Sequence, residues 1–283
     1  MIKQQNEIKR SLARLYDKYN HREFIAPDPL QFVYRYDRPA DMEIVGLLSA
    51  VLAYGRVTQI ERSLEGLLAH LGRHPYDWVC TFDHKKRRRL ADFKHRFTTG
   101  SDIADLLELL CGLLRKWDSI EVFFGRGYSD SDDTVIPAQV EFCDGLTATY
   151  AANHGGCVSD GIKYLLASPS RGSACKRLNL FLRWMVRCDD VDTGLWQSID
   201  KTKLIVPVDV HMARLCRILG FYEQKTVTLK SAMRITETLA AIDPADPVKY
   251  DFALSRVGIV EHCNGKLDTH CTECELLRFC SGQ

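Results

Sequence analysis

Pro207-Val208-Asp209-Val210-His211-Met212-Ala213-Arg214 is an apolar approach that delivers one carboxylate to the start of a helix. Asp at such a position accepts a hydrogen bond from an otherwise unpaired N–H, so an N-cap is its simplest role. The helix predicted after it runs over Val210–Leu219 and stops at Gly220. Met212, Leu215, Cys216 and Leu219 make its core face, while His211, Arg214 and Arg217 recur every three residues elsewhere.

The same period runs through the rest of the chain. Residues 3–20 align Ile8, Leu12, Leu15, Tyr16 and Tyr19, and residues 103–116 align Ile103, Leu106, Leu107, Leu110, Leu113 and Leu114. Asp41 is expected to cap an apolar helix from Met42 to Tyr54, with Gly55 ending it and Thr58 capping the next. A further helix over 137–152 breaks at His154-Gly155-Gly156-Cys157 and resumes from Ile162 to Leu166. No segment alternates with period two and no repeat is evident, which makes the expected fold all-α.

At 283 residues with net charge +1, strong whole-chain attraction to nucleic acid is not implied, although a local basic surface remains open. No apolar run reaches about 18 residues and the first residues are polar, so a cytoplasmic protein without membrane contact is expected. Lys85-Lys86-Arg87-Arg88-Arg89 reads as a solvated helix face or a weak phosphate contact.

Upstream of Asp209, Ala167-Ser168-Pro169-Ser170-Arg171-Gly172-Ser173-Ala174-Cys175-Lys176-Arg177 joins two predicted helices. Small residues there leave backbone N–H groups accessible at a helix start, a geometry that serves a plain connection or a phosphate site. In the helix that follows, Leu178, Phe181, Leu182 and Met185 form a core stripe, and Lys176, Asn179, Arg183 and Arg187 form an opposite stripe expected in solvent. Trp184 and Trp196 read as packing residues.

Four of the 11 cysteines crowd the C-terminal stretch, as Cys263-(seven residues)-Cys271-Thr272-Glu273-Cys274-(five residues)-Cys280. In a reducing compartment this spacing points to a metal site, with zinc and an iron–sulfur cluster both open. With four protein ligands such a site is structural.

Taken together, these features resemble the helix-hairpin-helix (HhH-GPD) DNA glycosylases related to endonuclease III. Val208-Asp209-Val210-His211 with Arg214 and Leu219-Gly220 is similar to that family's catalytic-aspartate motif. Asp251-Phe252-Ala253-Leu254-Ser255-Arg256-Val257-Gly258, leading into Cys263, is similar to its last helix before the cluster. The first cysteine gap is one residue longer than the family's, and the resemblance favours [4Fe–4S] over zinc. It is tight over 165–283 and looser over 41–60. The hairpin departs from the family pattern, since Ser170 replaces its first glycine and Lys176 stands two places beyond the family's nucleophilic lysine. The separation of Lys176 from Asp209 is closer to that of archaeal 8-oxoguanine glycosylases.

The resemblance implies two helical lobes, 40–165 and 1–39 plus 166–283, with an active-site cleft between them. It implies a bacterial, nucleoid-associated repair enzyme that flips a damaged or mispaired base out of double-stranded DNA and excises it. Asp209 would be catalytic, with Lys176 as nucleophile in a bifunctional lyase or as a backbone contact in a monofunctional enzyme. Arg171, Gly172, Ser173, Arg177 and His211 would hold DNA, and Tyr54, Arg56 and Gln59 would fill the gap left by the flipped base. Cys263, Cys271, Cys274 and Cys280 would hold the cluster. The alternative is a protein of the same fold that binds DNA structure or damage without cutting.

Overall fold

The computed structural model describes residues 2–224, 226–267 and 269–280. The described residues are predominantly helical, and their only paired strands form one two-stranded hairpin. The chain divides into two units, each described below by itself. Unit A comprises Met1–Phe24, Gly172–Gly194 and Asp200–Gln283, and unit B comprises Ile25–Arg171 and Leu195–Ile199. Residues 25–39, grouped with the other lobe in the sequence reading, therefore belong with unit B.

After α1 (Ile2–Tyr19) of unit A, unit B carries α2 (Pro39–Val51) in its core. The helices α3 (Val57–Leu71), α4 (Pro75–Cys80), α5 (His84–Arg89), α6 (Gly100–Trp117), α7 (Ile120–Gly125), α8 (Ile136–Asn153) and α9 (Asp160–Leu165) follow. The hairpin β1 (Lys94–His95) and β2 (Thr98–Thr99) precedes α6. Helix α2 is apolar and buried from Glu43 to Val51. Its start differs from expectation. Pro39, which needs no N–H partner, occupies the first turn, and Asp41 lies inside the helix, buried, accepting from Tyr76 N at 2.8 Å. Thr58 is likewise no cap, because α3 begins one residue earlier, after Arg56.

Glu43 is a buried carboxylate in this apolar helix. It accepts from Ile120 N and Glu121 N, both at 2.9 Å, and from Trp196 Nε1 at 2.8 Å. It thus ties the start of α7 and the Leu195–Ile199 segment to α2, and burial pushes its carboxyl above the usual range. Helix α6 starts at a capping box of Thr99 and Asp102 and buries its whole expected stripe. In the basic run, Lys86 Nζ donates to Trp78 O and Thr81 O, and Arg87 pairs with Asp105 and Glu108. Only Lys85, Arg88 and Arg89 of that run are exposed.

Unit A holds α1, α10 (Lys176–Val186), α11 (Val210–Ile218), α12 (Leu229–Ala240) and α13 (Asp251–Ile259). Helix α13 packs against both α1 and α11. The polar stripe expected in solvent on α10 is buried: Asn179 is 1 % exposed, and Arg183 and Arg187 are each 2 % exposed. Two guanidiniums here meet four carboxylates. Arg183 Nε donates to Asp192 at 3.2 Å and its Nη1 to Asp251. Arg187 reaches Asp192 through Nη1, Asp246 through Nε at 3.0 Å and Asp189 through Nη2 at 2.9 Å. Burial raises the Asp189 carboxyl, but Arg187 and the N–H groups of Asp192 and Val191 outweigh it and hold it below the usual range.

An excess of buried acid favours proton uptake. Burial holds the Asp251 carboxyl at about 6 against the pull of Arg183, with Asp209 and Asp192 pushing the same way. A carboxyl raised on folding stabilises most below its unfolded value, and that contribution is lost as pH rises through about 6. Asp251→Asn cannot titrate. Between about pH 4 and pH 7 the variant is therefore expected to gain roughly 3 kcal/mol on the native chain, read from urea midpoints.

Candidate functional site

Leu204 to Val208 run extended and buried into α11, with Val206 N donating to Thr236 Oγ1 at 3.0 Å. This anchored approach fixes Asp209, the half-buried N-cap of α11. Its Oδ1 accepts from Met212 N at 2.7 Å, and Oδ2 has no hydrogen-bond partner among the described residues. Val210, one residue on, is 71 % exposed, so the carboxylate stands where buried chain meets solvent. Its charge reaches two fully buried groups, Asp251 on α13 and Cys216 on α11. Burial, with these two carboxylates, raises the Cys216 thiol well above its usual range, which makes it an inert packing residue.

His211 packs against α13 at Gly258. A Cβ there would lie 2.8 Å from His211 Cβ and 2.9 Å from Cγ, so the helices meet this closely only because position 258 is glycine. The buried His211 Nδ1 has no hydrogen-bond partner among the described residues. Sequence reading missed the surroundings of Asp209, above all Asp251 and Arg183. The available signal was a pair of arginines four apart in an otherwise apolar helix, with acids on either side.

The connection from α9 to α10 contains a short turn, Pro169–Arg171, in which Arg171 N donates to Ser168 O at 3.2 Å. Gly172 follows with φ 75°, and Cys175 enters the left-handed region at φ 46° immediately before α10. Ser173 Oγ accepts from Cys175 N at 3.1 Å, and Gly172 O accepts from Leu229 N at 3.1 Å. Arg171 and Gly172 are exposed, and Ser173, Lys176 and Arg177 half-buried. Lys176 is the first residue of α10, so it and Asp209 stand at the starts of two helices of one unit.

Tyr54, Arg56 and Gln59 belong to unit B. Arg56 and Gln59 are exposed, whereas Tyr54 is half-buried and its OH lies 2.8 Å from His95 O and 2.7 Å from Thr98 Oγ1.

Cys263, Cys271, Cys274 and Cys280 are half-buried in unit A. Arg214 Nη1 donates to Cys263 O at 2.7 Å, which ties this segment to α11. Arg14 and Glu275 pair across to α1. Burial raises the Cys274 and Cys280 thiols, and both also sense Cys263 and Cys271, so the four share one neighbourhood. Soft thiols so grouped fit zinc or an iron–sulfur cluster in kind. Among the described residues, however, no three His, Cys, Asp or Glu side chains form a ready-made metal cage.

No curated protein and no solved structure matches the chain. A family model does match it over residues 28–260, a span that includes Tyr54, Lys176, Asp209 and Asp251 and ends just before Cys263. The chain therefore belongs to the family described as "Protein of unknown function (DUF2400)".

Proposed function

We propose that this chain is a DNA glycosylase that flips a damaged or mispaired base from double-stranded DNA and cleaves its bond to the sugar. The observation that supports this most is the setting of Asp209. One carboxylate oxygen is held by the helix it caps, and the other has no partner among the described residues and lies at the edge of a buried wall. A fixed anion of this kind stabilises the positive charge that develops on the sugar as the base departs. The exposed turn at Arg171 and Gly172 suits backbone N–H contacts to phosphate, which position the strand without reading its sequence.

In the bifunctional form, the Lys176 amine attacks C1′ as the glycosidic bond breaks. The base leaves with a proton, and ring opening gives a Schiff base. Borohydride reduces that imine to a stable amine. On a panel of labelled lesion duplexes, the native chain is expected to yield a trapped adduct that Lys176→Ala lacks. Base release without an adduct assigns the monofunctional form, with water as nucleophile. No base release from any lesion overturns the proposal.

Cys263, Cys271, Cys274 and Cys280 would hold a [4Fe–4S] cluster, or zinc as the second choice. The group would supply a structural cross-link, because its four ligands all come from protein. Metal binding would draw the thiols together and so contribute directly to folding of the C-terminal segment. Cys274→Ser is expected to abolish visible charge-transfer absorbance in freshly purified protein and to open residues 261–280 to protease. A colourless native protein carrying zinc assigns the other metal.

A further inference from the structure

The tip of the β1–β2 hairpin carries Phe97, the most exposed large hydrophobic side chain among the described residues, at 72 %. Its ring lies 6.4 Å from that of Tyr164 on α9, itself 38 % exposed, and Tyr164 lies 5.2 Å from Tyr54. Each pair meets edge to face, at 81° and 79°. A cation borders the Phe97 ring. The Arg96 guanidinium sits 5.3 Å from the centre of the Phe97 ring, and its side chain lies over Gly55, next to Arg56. Neither Arg96 nor Arg56 has an ion-pair partner among the described residues. The nearby charges of α9 are otherwise engaged, since Lys163 pairs with Asp160.

The platform is held rigidly from below. Tyr54 OH bonds to His95 O and Thr98 Oγ1, and buried His95 spans Ser63 Oγ at 2.9 Å and Tyr54 O at 3.0 Å. Both hairpin strands are thereby fastened to the Tyr54 loop and α3. The two-residue loop puts Arg96 at φ 53°, where glycine is the ordinary choice, and so holds Phe97 outward. An exposed aromatic on a rigid mount loses little conformational entropy when it meets a flat partner.

We propose that Phe97 and Tyr164, with Arg96 against the Phe97 ring, form a stacking platform for an unpaired nucleobase of a bound nucleic-acid strand. Exposed rings supply a sequence-tolerant stacking surface, and the Arg96 guanidinium attracts the phosphates beside it. An apolar peptide would leave Arg96 uncompensated, and a plain anion would leave the rings unused. The inference rests on the DNA reading above for its choice of polymer, and its test is read from binding rather than base release.

The full chain is titrated into duplexes carrying one unpaired 2-aminopurine, whose fluorescence falls when it stacks. The native chain is expected to quench the probe, and Phe97→Ala to lose the quench and about tenfold in affinity. Because Phe97 is exposed, the variant should fold, which its melting temperature checks; Phe97→Trp should restore quenching. Quenching and affinity unchanged in Phe97→Ala overturn the platform even if base release is observed. Binding that depends on Phe97 without base release supports the platform and counts only against the glycosylase. No binding at all overturns both. A dimer that Phe97→Ala dissociates, with oligonucleotide binding unaffected, assigns the patch to self-association and overturns the proposal.

Discussion

Asp209→Asn is expected to cut base release by about a thousandfold or more while leaving the fold and DNA binding intact. Two properties of the position separate these effects. The side chain's structural task is to accept from Met212 N, and Asn caps a helix as well as Asp does. Stability should therefore change by less than about 1 kcal/mol. The proposed chemical task needs a negative charge facing the sugar, which Asn lacks. The exchange also relieves crowding with Asp251, whose carboxyl Asp209 helps to hold up at about 6. Urea unfolding, oligonucleotide binding and single-turnover base release on the same preparation check the three expectations. Lost activity accompanied by a large loss of stability would assign Asp209 to structure alone.

The second large effect lies behind that carboxylate. Arg183→Ala is expected to destabilise unit A by roughly 3–5 kcal/mol, since it strands Asp251 in the interior and leaves Asp192 with Arg187 alone. That is a large part of the stability of an ordinary domain, about 5–15 kcal/mol in all. Lys should rescue poorly, because one ammonium cannot reproduce a planar fork that bonds Asp192 through Nε and Asp251 through Nη1. Adding Asp251→Asn should recover much of the loss by removing the stranded charge. Non-recovery would mean that the arginine acts by filling space rather than by charge.

These results mark where sequence patterns were sufficient. The stripe of α6 and the cap of α11 were legible because their determinants are local, either a helical period or one side chain bonding three residues on. The burial of Arg183 and Arg187 was not. Charges on a helix face read as solvated, and two of the compensating acids, Asp246 and Asp251, stand beyond α12 in sequence. Glu43 was hidden for the same reason: the N–H groups it satisfies belong to α7 and Trp196. Phe97 carried no periodic signal, and only the folded hairpin sets it beside Tyr164. For the candidate site, Asp209, Lys176 and the cysteines could be named from the chain, but the carboxyl that senses Asp209 could not.

The most direct test of the central claim is mass spectrometry of free bases released from chemically damaged genomic DNA by the freshly purified full chain. The proposal predicts catalytic release of one or a few modified bases by the native protein and none above background by Asp209→Asn. Equal release by the variant, or DNA bound with no base released by the native chain, would contradict it.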